Sequence, residues 1–228
     1  MSIDLLERGI VYIRWSLLII SADTIILALL LLLSLLITPM AAYIFTVVVS
    51  YFLLISTVIP YVLVVLFWLL GFRDLMRYSG RYLMGGFVGS VIITVSYFMN
   101  IAYMGYLIAN ELVGNALIPR PIMLEPLILM YNRYFIVFSL YLPLPLFVSL
   151  ILGILGSILS MVTLYRLGND FNVARVKIGA LITIIGVLTI EAPLIGGLLI
   201  SAGTALLMLD LGRILNEINE IDKVNQGH

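Results

Sequence analysis

Long apolar runs separated by short polar segments dominate this chain. The first run, residues 16–37, contains a single ionisable side chain, that of Asp23. A helix needs about 20 such residues to cross the hydrocarbon core of a bilayer, and at least three comparable runs follow. The pattern predicts an all-α fold, a polytopic transmembrane helix bundle that lies in the cell membrane as a multi-pass protein.

Six spans fit the pattern best, and together they form one transmembrane domain over residues 1–228. They cover residues 15–37, 44–70, 86–109, 146–165, 177–191 and 194–212. Pro60 predicts a kink in the second span, because its ring blocks a backbone hydrogen bond. Pro143 and Pro145 predict a break in regular helix just before the fourth span.

The last apolar region decides between five spans and six. Residues 178–211 as one helix would be ~51 Å long at 1.5 Å per residue, which is too long for one span unless it tilts severely. Glu191, Ala192 and Pro193 interrupt the region at its middle. This interruption favours a hairpin of two short helices.

The distribution of arginine and lysine agrees with six spans. With the N-terminus inside, ten of the 12 basic residues fall in cytoplasmic segments, and only Arg120 and Arg133 fall outside. Five spans would move Arg213 and Lys223 outside as well. Since basic residues concentrate on the cytoplasmic side, we expect both termini to be cytoplasmic.

Two segments outside the spans are apolar enough to touch the bundle or the membrane. The external loop, residues 112–134, either lies along the surface or forms a lid over a pathway. The C-terminal tail, residues 211–223, is predicted to be an amphipathic helix with an apolar stripe of Leu211, Ile214, Leu215, Ile218 and Ile221. Because the tail is not basic, docking on its own bundle or on a partner fits better than binding to anionic lipid.

Small residues at helical spacing predict the seams of the bundle. Helices in lipid associate through close packing and hydrogen bonds, which such residues permit. The small faces comprise Gly85, Gly89 and Gly86, Ser90, Thr94 in the third span; Ser149, Gly153, Gly156, Ser160 and Thr163 in the fourth; Gly179, Thr183 and Gly186 in the fifth; and Gly197, Ser201 and Thr204 in the sixth. The alternative interpretation is a narrow polar path lined by the same hydroxyl groups.

Asp23 is the sharpest candidate for a functional residue. It lies ~12 Å along the helix from Trp15, near the middle of the bilayer. Burial of an ionisable side chain at that depth costs free energy, so such a residue is by default a candidate for function. No Lys, Arg or His lies at comparable depth, so we expect its carboxyl group to favour the neutral form. By depth, Thr94 and Tyr97 are plausible hydrogen-bond partners. Asp23 could carry protons or a cation, or form a structural hydrogen bond.

The third span is the most polar of the six. Five of its side chains fall on one sector of the helix: Ser96, Asn100, Tyr103, Tyr106 and Asn110. This sector either lines a pathway or pocket or makes ordinary interhelical hydrogen bonds. The candidate transport or proton site is therefore Asp23, Thr94, Tyr97 and Asn100.

Composition excludes several functional classes. Hydrophobic residues make up 63% of the chain and charged residues 11%, with a net charge of zero, so binding to nucleic acid is not expected. The chain has no cysteine, its only histidine is His228, and catalytic and phosphate-binding motifs are absent. We predict no catalytic residues, no metal site, no cofactor and no enzyme activity.

Three stretches resemble an uncharacterised family of archaeal multi-spanning membrane proteins. They read GIVYIRWSLLIISA (9–22), YRLGNDFNVARVKIGALITIIG (165–186) and IGGLLISAGTALLMLDLGRI (195–214). The resemblance implies an archaeal source and a membrane location, and it implies no role for any residue.

Two functional classes follow from these observations. The first is a structural or accessory subunit of a membrane complex, with another membrane protein as its partner in the lipid bilayer. A homo-oligomer is the other association that the sequence leaves open. The alternative is a small permease or channel for a proton, a cation or a small solute, which would use Asp23 and the polar face of the third span. An intramembrane enzyme would need clustered polar side chains that the sequence does not show.

Overall fold

The computed structural model describes residues 3–36, 61–114, 144–189 and 193–226. Over these ranges the chain is all-helical, as predicted, and forms six α-helices. They are α1 (Ile3–Leu36), α2 (residues 61–78), α3 (Val88–Gly114), α4 (Leu144–Asp170), α5 (Ala174–Leu188) and α6 (Pro193–Gln226). The predicted kink at Pro60, the break at Pro143, the external loop at 112–134 beyond Gly114, and Glu191 lie outside the described residues.

Four of the described helices are long and apolar enough to cross a membrane. The qualifying segments are Ile3–Ile26, Gly80–Tyr103, Leu144–Asp170 and Ile195–Ile218. The second includes a 3-10 turn (Gly80–Tyr82) and a π-helical turn (Leu83–Phe87) that lead into α3. The described part of α2 carries three charged side chains, and α5 has 15 residues, about 22 Å at the helical rise. The chain is therefore a membrane protein with at least four candidate spans, and the count of six stays a prediction.

The helices pack in an order that brings both ends of the chain together. α1 packs against α2 and α6, α5 lies between α4 and α6, and α3 packs against α4. At the end of the bundle that holds the start of α1, five helices bury apolar side chains in one cluster. Its fully buried members include Ile10, Ile13, Phe72, Leu75, Leu164, Leu167, Val176, Leu207, Leu211 and Ile214. This cluster is the core that fixes the helices relative to one another.

Apolar side chains also cover the outside of the bundle. On α5 the residues Ile178, Leu181, Ile185 and Leu188 are all exposed, and their spacing of three and four residues places them in one stripe. Comparable exposed stripes occur on α3 and α4. A water-soluble surface does not carry contiguous apolar patches of this kind. Lipid tails are as apolar as leucine and are the solvent that these stripes suit.

The last apolar region is a hairpin of two helices. α5 ends at Leu188 with Thr189 as its C-cap, and α6 begins at Pro193, where the missing N–H of proline costs nothing. α6 is longer than the predicted sixth span, because it continues without a break through the tail. Leu211, Ile214, Leu215 and Ile218 are buried, so the tail docks on its own bundle.

The turn between α4 and α5 is set by Asn172. The N–H of Val173 donates to the carbonyl oxygen of Gly168 (2.8 Å), and the N–H of Asn172 donates to that of Asn169 (3.1 Å). This pair of bonds is the Schellman motif, which requires a left-handed residue. Asn172 supplies it with a φ of 52°, and α5 consequently folds back along α4.

Candidate functional site

Asp23 lies half-buried on α1. It follows Ser16 by two turns, and the Ser16 hydroxyl donates to the carbonyl oxygen of Val64 in α2 (3.3 Å). Helical periodicity therefore places Asp23 on the side of α1 that faces α2. Asp23 makes no hydrogen bond or ion pair with any residue that the structure describes.

The other three candidate residues lie on α3. The Thr94 hydroxyl donates to the carbonyl oxygen of Ser90 in its own helix (2.8 Å). The Tyr97 ring is buried and stacks on Tyr61 of α2, with ring centroids 5.7 Å apart. Asn100 is half-buried. The structure thus joins Tyr97 to α2 and gives Thr94 a partner other than Asp23, so a shared site of the four residues stays a prediction.

Ser96, which belongs to the polar sector of the third span, is used for packing. Its hydroxyl donates to the carbonyl oxygen of Ser149 in α4 (2.7 Å), and the Ser149 hydroxyl donates to that of Ser96 (2.9 Å). Both side chains are buried. The polar sector is predicted either to line a pathway or to make interhelical hydrogen bonds, and Ser96 makes interhelical hydrogen bonds.

Glycines close the same seam towards the charged end. A Cβ on Gly156 would lie 2.7 Å from the carbonyl oxygen of Gly89, and one on Gly89 would lie 2.8 Å from that of Gly156. The indole N–H of Trp68 in α2 donates to the Ser160 hydroxyl (3.2 Å). The small faces predicted for the third and fourth spans therefore meet, and α2 is tied to α4 beside them.

The seam between α5 and α6 uses different glycines from those predicted for the sixth span. Gly179 and Gly186 of α5 approach Gly203 and Gly196 of α6, with hypothetical Cβ atoms about 3.0 Å from main-chain oxygens. Of the small face predicted for the sixth span, Ser201 and Thr204 are buried, and the Ser21 hydroxyl of α1 donates to the Ser201 carbonyl oxygen (3.4 Å). Gly197 has open space on its Cβ side, so its predicted place in a seam is wrong. The face of α6 that contains Gly196 and Gly203 is offset by one residue from the face that contains Gly197. The spacing of small residues in the sequence does not determine which of these faces packs against α5.

Charged side chains cluster at the end of the bundle that holds the start of α1. Arg73 pairs with Asp74 (3.0 Å), Arg81 with Asp170 (3.5 Å) and Arg213 with Asp210 (3.2 Å). Tyr82 donates to Asp170 (2.8 Å). The burial of Asp74 and Asp210 was not anticipated from the sequence. The one available signal was the position of Asp210 three residues before Arg213, at the start of the tail's apolar stripe.

Arg14 is a further polar residue, and no pattern in the sequence singles it out. Its Nε donates to the carbonyl oxygen of Met208 in α6 (3.1 Å), a residue 194 positions away. Within the described ranges no three His, Asp or Glu side chains are grouped as a metal ion would require. Besides Asp23 and Asn100, the polar contacts of the described bundle are ion pairs, hydroxyl bonds and the Arg14 bond to α6.

Comparison with protein-family models, with curated proteins and with solved structures finds no match for this chain.

Proposed function

We propose that this chain is a six-span protein of the cell membrane that serves as a structural or accessory subunit of a larger membrane complex. The supporting observation is the use of its polar side chains. Ser96, Ser149 and Ser160, which could have lined a path, are buried and hydrogen-bonded between helices. A bundle whose buried serines bond its own helices together suits a compact scaffold.

The charged end supports the proposed orientation. Arg14, Arg73, Arg81 and Arg213 lie on four segments of the chain. Arg14 contacts α6 and Arg81 contacts α4, and the buried cluster joins α2, α4 and α6 at the same end of the bundle. Basic residues concentrate on the cytoplasmic side of membrane proteins. We therefore place this end, with both termini, in the cytoplasm. A cysteine-accessibility scan of the cysteine-free chain would test the orientation.

The accessory role is tested by extraction from native membranes in a mild detergent, followed by native mass spectrometry. We expect a foreign membrane protein in a fixed stoichiometric ratio with this chain. Recovery of the chain alone, or only as a homo-oligomer, would contradict the accessory role. The resemblance to the archaeal family and the absence of enzyme activity remain predictions alongside it.

A small permease or channel is the second candidate, and Asp23 is the observation that favours it. A carboxyl group inside an apolar span, without a partner among the described residues, suits the binding of a proton or a cation. Proteoliposomes give the test: Asp23→Asn should abolish proton or cation flux and leave the melting temperature unchanged. Asp4→Asn, an exposed position on the same helix, is the matched control. Unchanged flux in Asp23→Asn would remove Asp23 from the role.

A further inference from the structure

A groove runs along the outside of the bundle where α1 crosses α6. Val11, Arg14, Trp15, Leu18 and Met208 line it, and its volume is about 320 Å³. All of these side chains except Arg14 are apolar or aromatic. Trp15 and Leu18 are exposed on the surface that faces lipid, with 53% of Trp15 accessible. The groove therefore combines one cation with an apolar wall.

Arg14 is held in place by α6 rather than by a carboxylate. Its Nε bond to the Met208 carbonyl fixes one edge of the guanidinium group. The group lies over Gly212, where a Cβ would come within 2.9 Å of Nη2. Among the described residues no aspartate or glutamate pairs with Arg14, whereas Arg73, Arg81 and Arg213 each have one. The Nη donors therefore have no protein acceptor in the described part of the chain.

A guanidinium group with free donors suits a phosphate, because the planar fork bonds two phosphate oxygens at once. Tryptophan beside it is typical of the membrane interface, where its ring lies at headgroup level. We infer that this groove binds an anionic phospholipid, with the phosphate on the Arg14 guanidinium and an acyl chain along Trp15, Leu18 and Met208. Charge complementarity selects a net anionic headgroup over a zwitterionic one, whose ammonium group Arg14 repels.

Trp15 reports directly on the lipid beside it. The chain has two tryptophans, and the other, Trp68, is 3% exposed and bonded to Ser160. The protein is reconstituted into phosphatidylcholine vesicles that contain a minor fraction of brominated phosphatidylglycerol, a contact quencher of indole fluorescence. A parallel sample carries the bromine on phosphatidylcholine at the same fraction, and Trp15→Phe measures the residual Trp68 signal.

We expect brominated phosphatidylglycerol to quench Trp15 more than brominated phosphatidylcholine does. Arg14→Gln should lower the apparent preference for phosphatidylglycerol over phosphatidylcholine about five-fold, because one arginine near an anionic membrane surface contributes an affinity of that size. Gly212→Ala should lower it as well, because the added Cβ displaces the guanidinium group. Gly197→Ala, an open position on the same helix, should retain the full preference.

Any one of four results would overturn the inference. Equal quenching by the two lipids, or an unchanged preference in Arg14→Gln, would show that Arg14 does not select the headgroup. Absence of quenching by either lipid would show that a second copy of the chain fills the groove. Retention of the preference in the presence of excess inorganic phosphate would support a lipid, since free phosphate lacks the acyl chain. Its loss at matched ionic strength, where screening is the same in both samples, would count against the groove as a lipid site.

Discussion

The hydroxyl groups of Ser96 and Ser149 donate to each other's main-chain carbonyl oxygens, at 2.7 and 2.9 Å. The two serines lie on α3 and α4, and their hydroxyl oxygens are 3.2 Å apart. In a membrane, where water cannot satisfy these groups, such a reciprocal pair ties two helices together. It also uses Ser96, the first residue of the polar sector of the third span, for packing rather than for lining a pathway.

Removal of either hydroxyl should weaken the α3–α4 seam. We expect Ser96→Ala and Ser149→Ala each to lower the free energy of unfolding by about 0.6 kcal/mol and at most ~1.7 kcal/mol, the range for interhelical bonds in membranes. Unfolding by sodium dodecyl sulfate in mixed micelles measures this. Ser90→Ala is the matched control, because the Ser90 hydroxyl bonds only within its own helix and should matter less. Equal losses at all three positions would contradict the interhelical role.

The packing of α5 on α6 predicts opposite effects on stability for alanine substitutions at two glycines, Gly186 in α5 and Gly197 in α6. In Gly186→Ala the new Cβ would lie 2.7 Å from the backbone nitrogen of Ile200, and we expect a loss of about 1–3 kcal/mol from overpacking. Gly197→Ala meets nothing within 4 Å and should be neutral or stabilise by up to ~1 kcal/mol through helix propensity. Thermal unfolding in detergent compares the two variants, and similar shifts in both would exclude the observed rotation of α6.

The left-handed conformation of Asn172 gives a backbone test. Asn172→Ala should lower stability by about 1–2 kcal/mol, because a Cβ without a compensating polar group disfavours positive φ. Asn172→Gly should preserve or raise stability, since glycine is the usual residue in this motif. Asn169→Ala, one turn earlier within α4, should be neutral or stabilising. A loss in Asn172→Gly as large as that in Asn172→Ala would argue for a side-chain role instead.

The Asp210–Arg213 pair is asymmetric: the arginine side chain is 61% exposed and the aspartate 2% exposed. Arg213→Gln leaves a buried carboxylate without its cation, and we expect a loss of about 1–3 kcal/mol in the free energy of unfolding. Asp210→Asn combined with Arg213→Gln should recover most of that loss, because no uncompensated charge remains. Arg81→Gln, whose pair with Asp170 is exposed, should cost less than about 1 kcal/mol. Failure of the double variant to recover stability would contradict this account.

Several features of the fold follow from local chemistry, and the sequence predicts them. Apolar runs of about 20 residues form helices because lipid offers backbone groups no other partner. Pro193 marks the start of α6 because proline suits the first helical position. The small residues around Gly89 and those around Gly156 each predict a tightly packed helix face, and in the structure these two faces meet. Each of these inferences depends on residues close together in the chain.

The sequence by itself determined the helical class, the membrane location, the final hairpin and the residues able to form tight seams, because periodicity and composition carry that information. Only the tertiary structure decided how each helix is rotated and which distant residues meet. In the structure, Gly196 and Gly203 rather than Gly197 contact α5. Ser96 bonds Ser149, and Arg14 lies against Met208 and Gly212. These choices depend on the simultaneous packing of several helices around one core. No single segment specifies them, because each helix offers several faces with similar local energies.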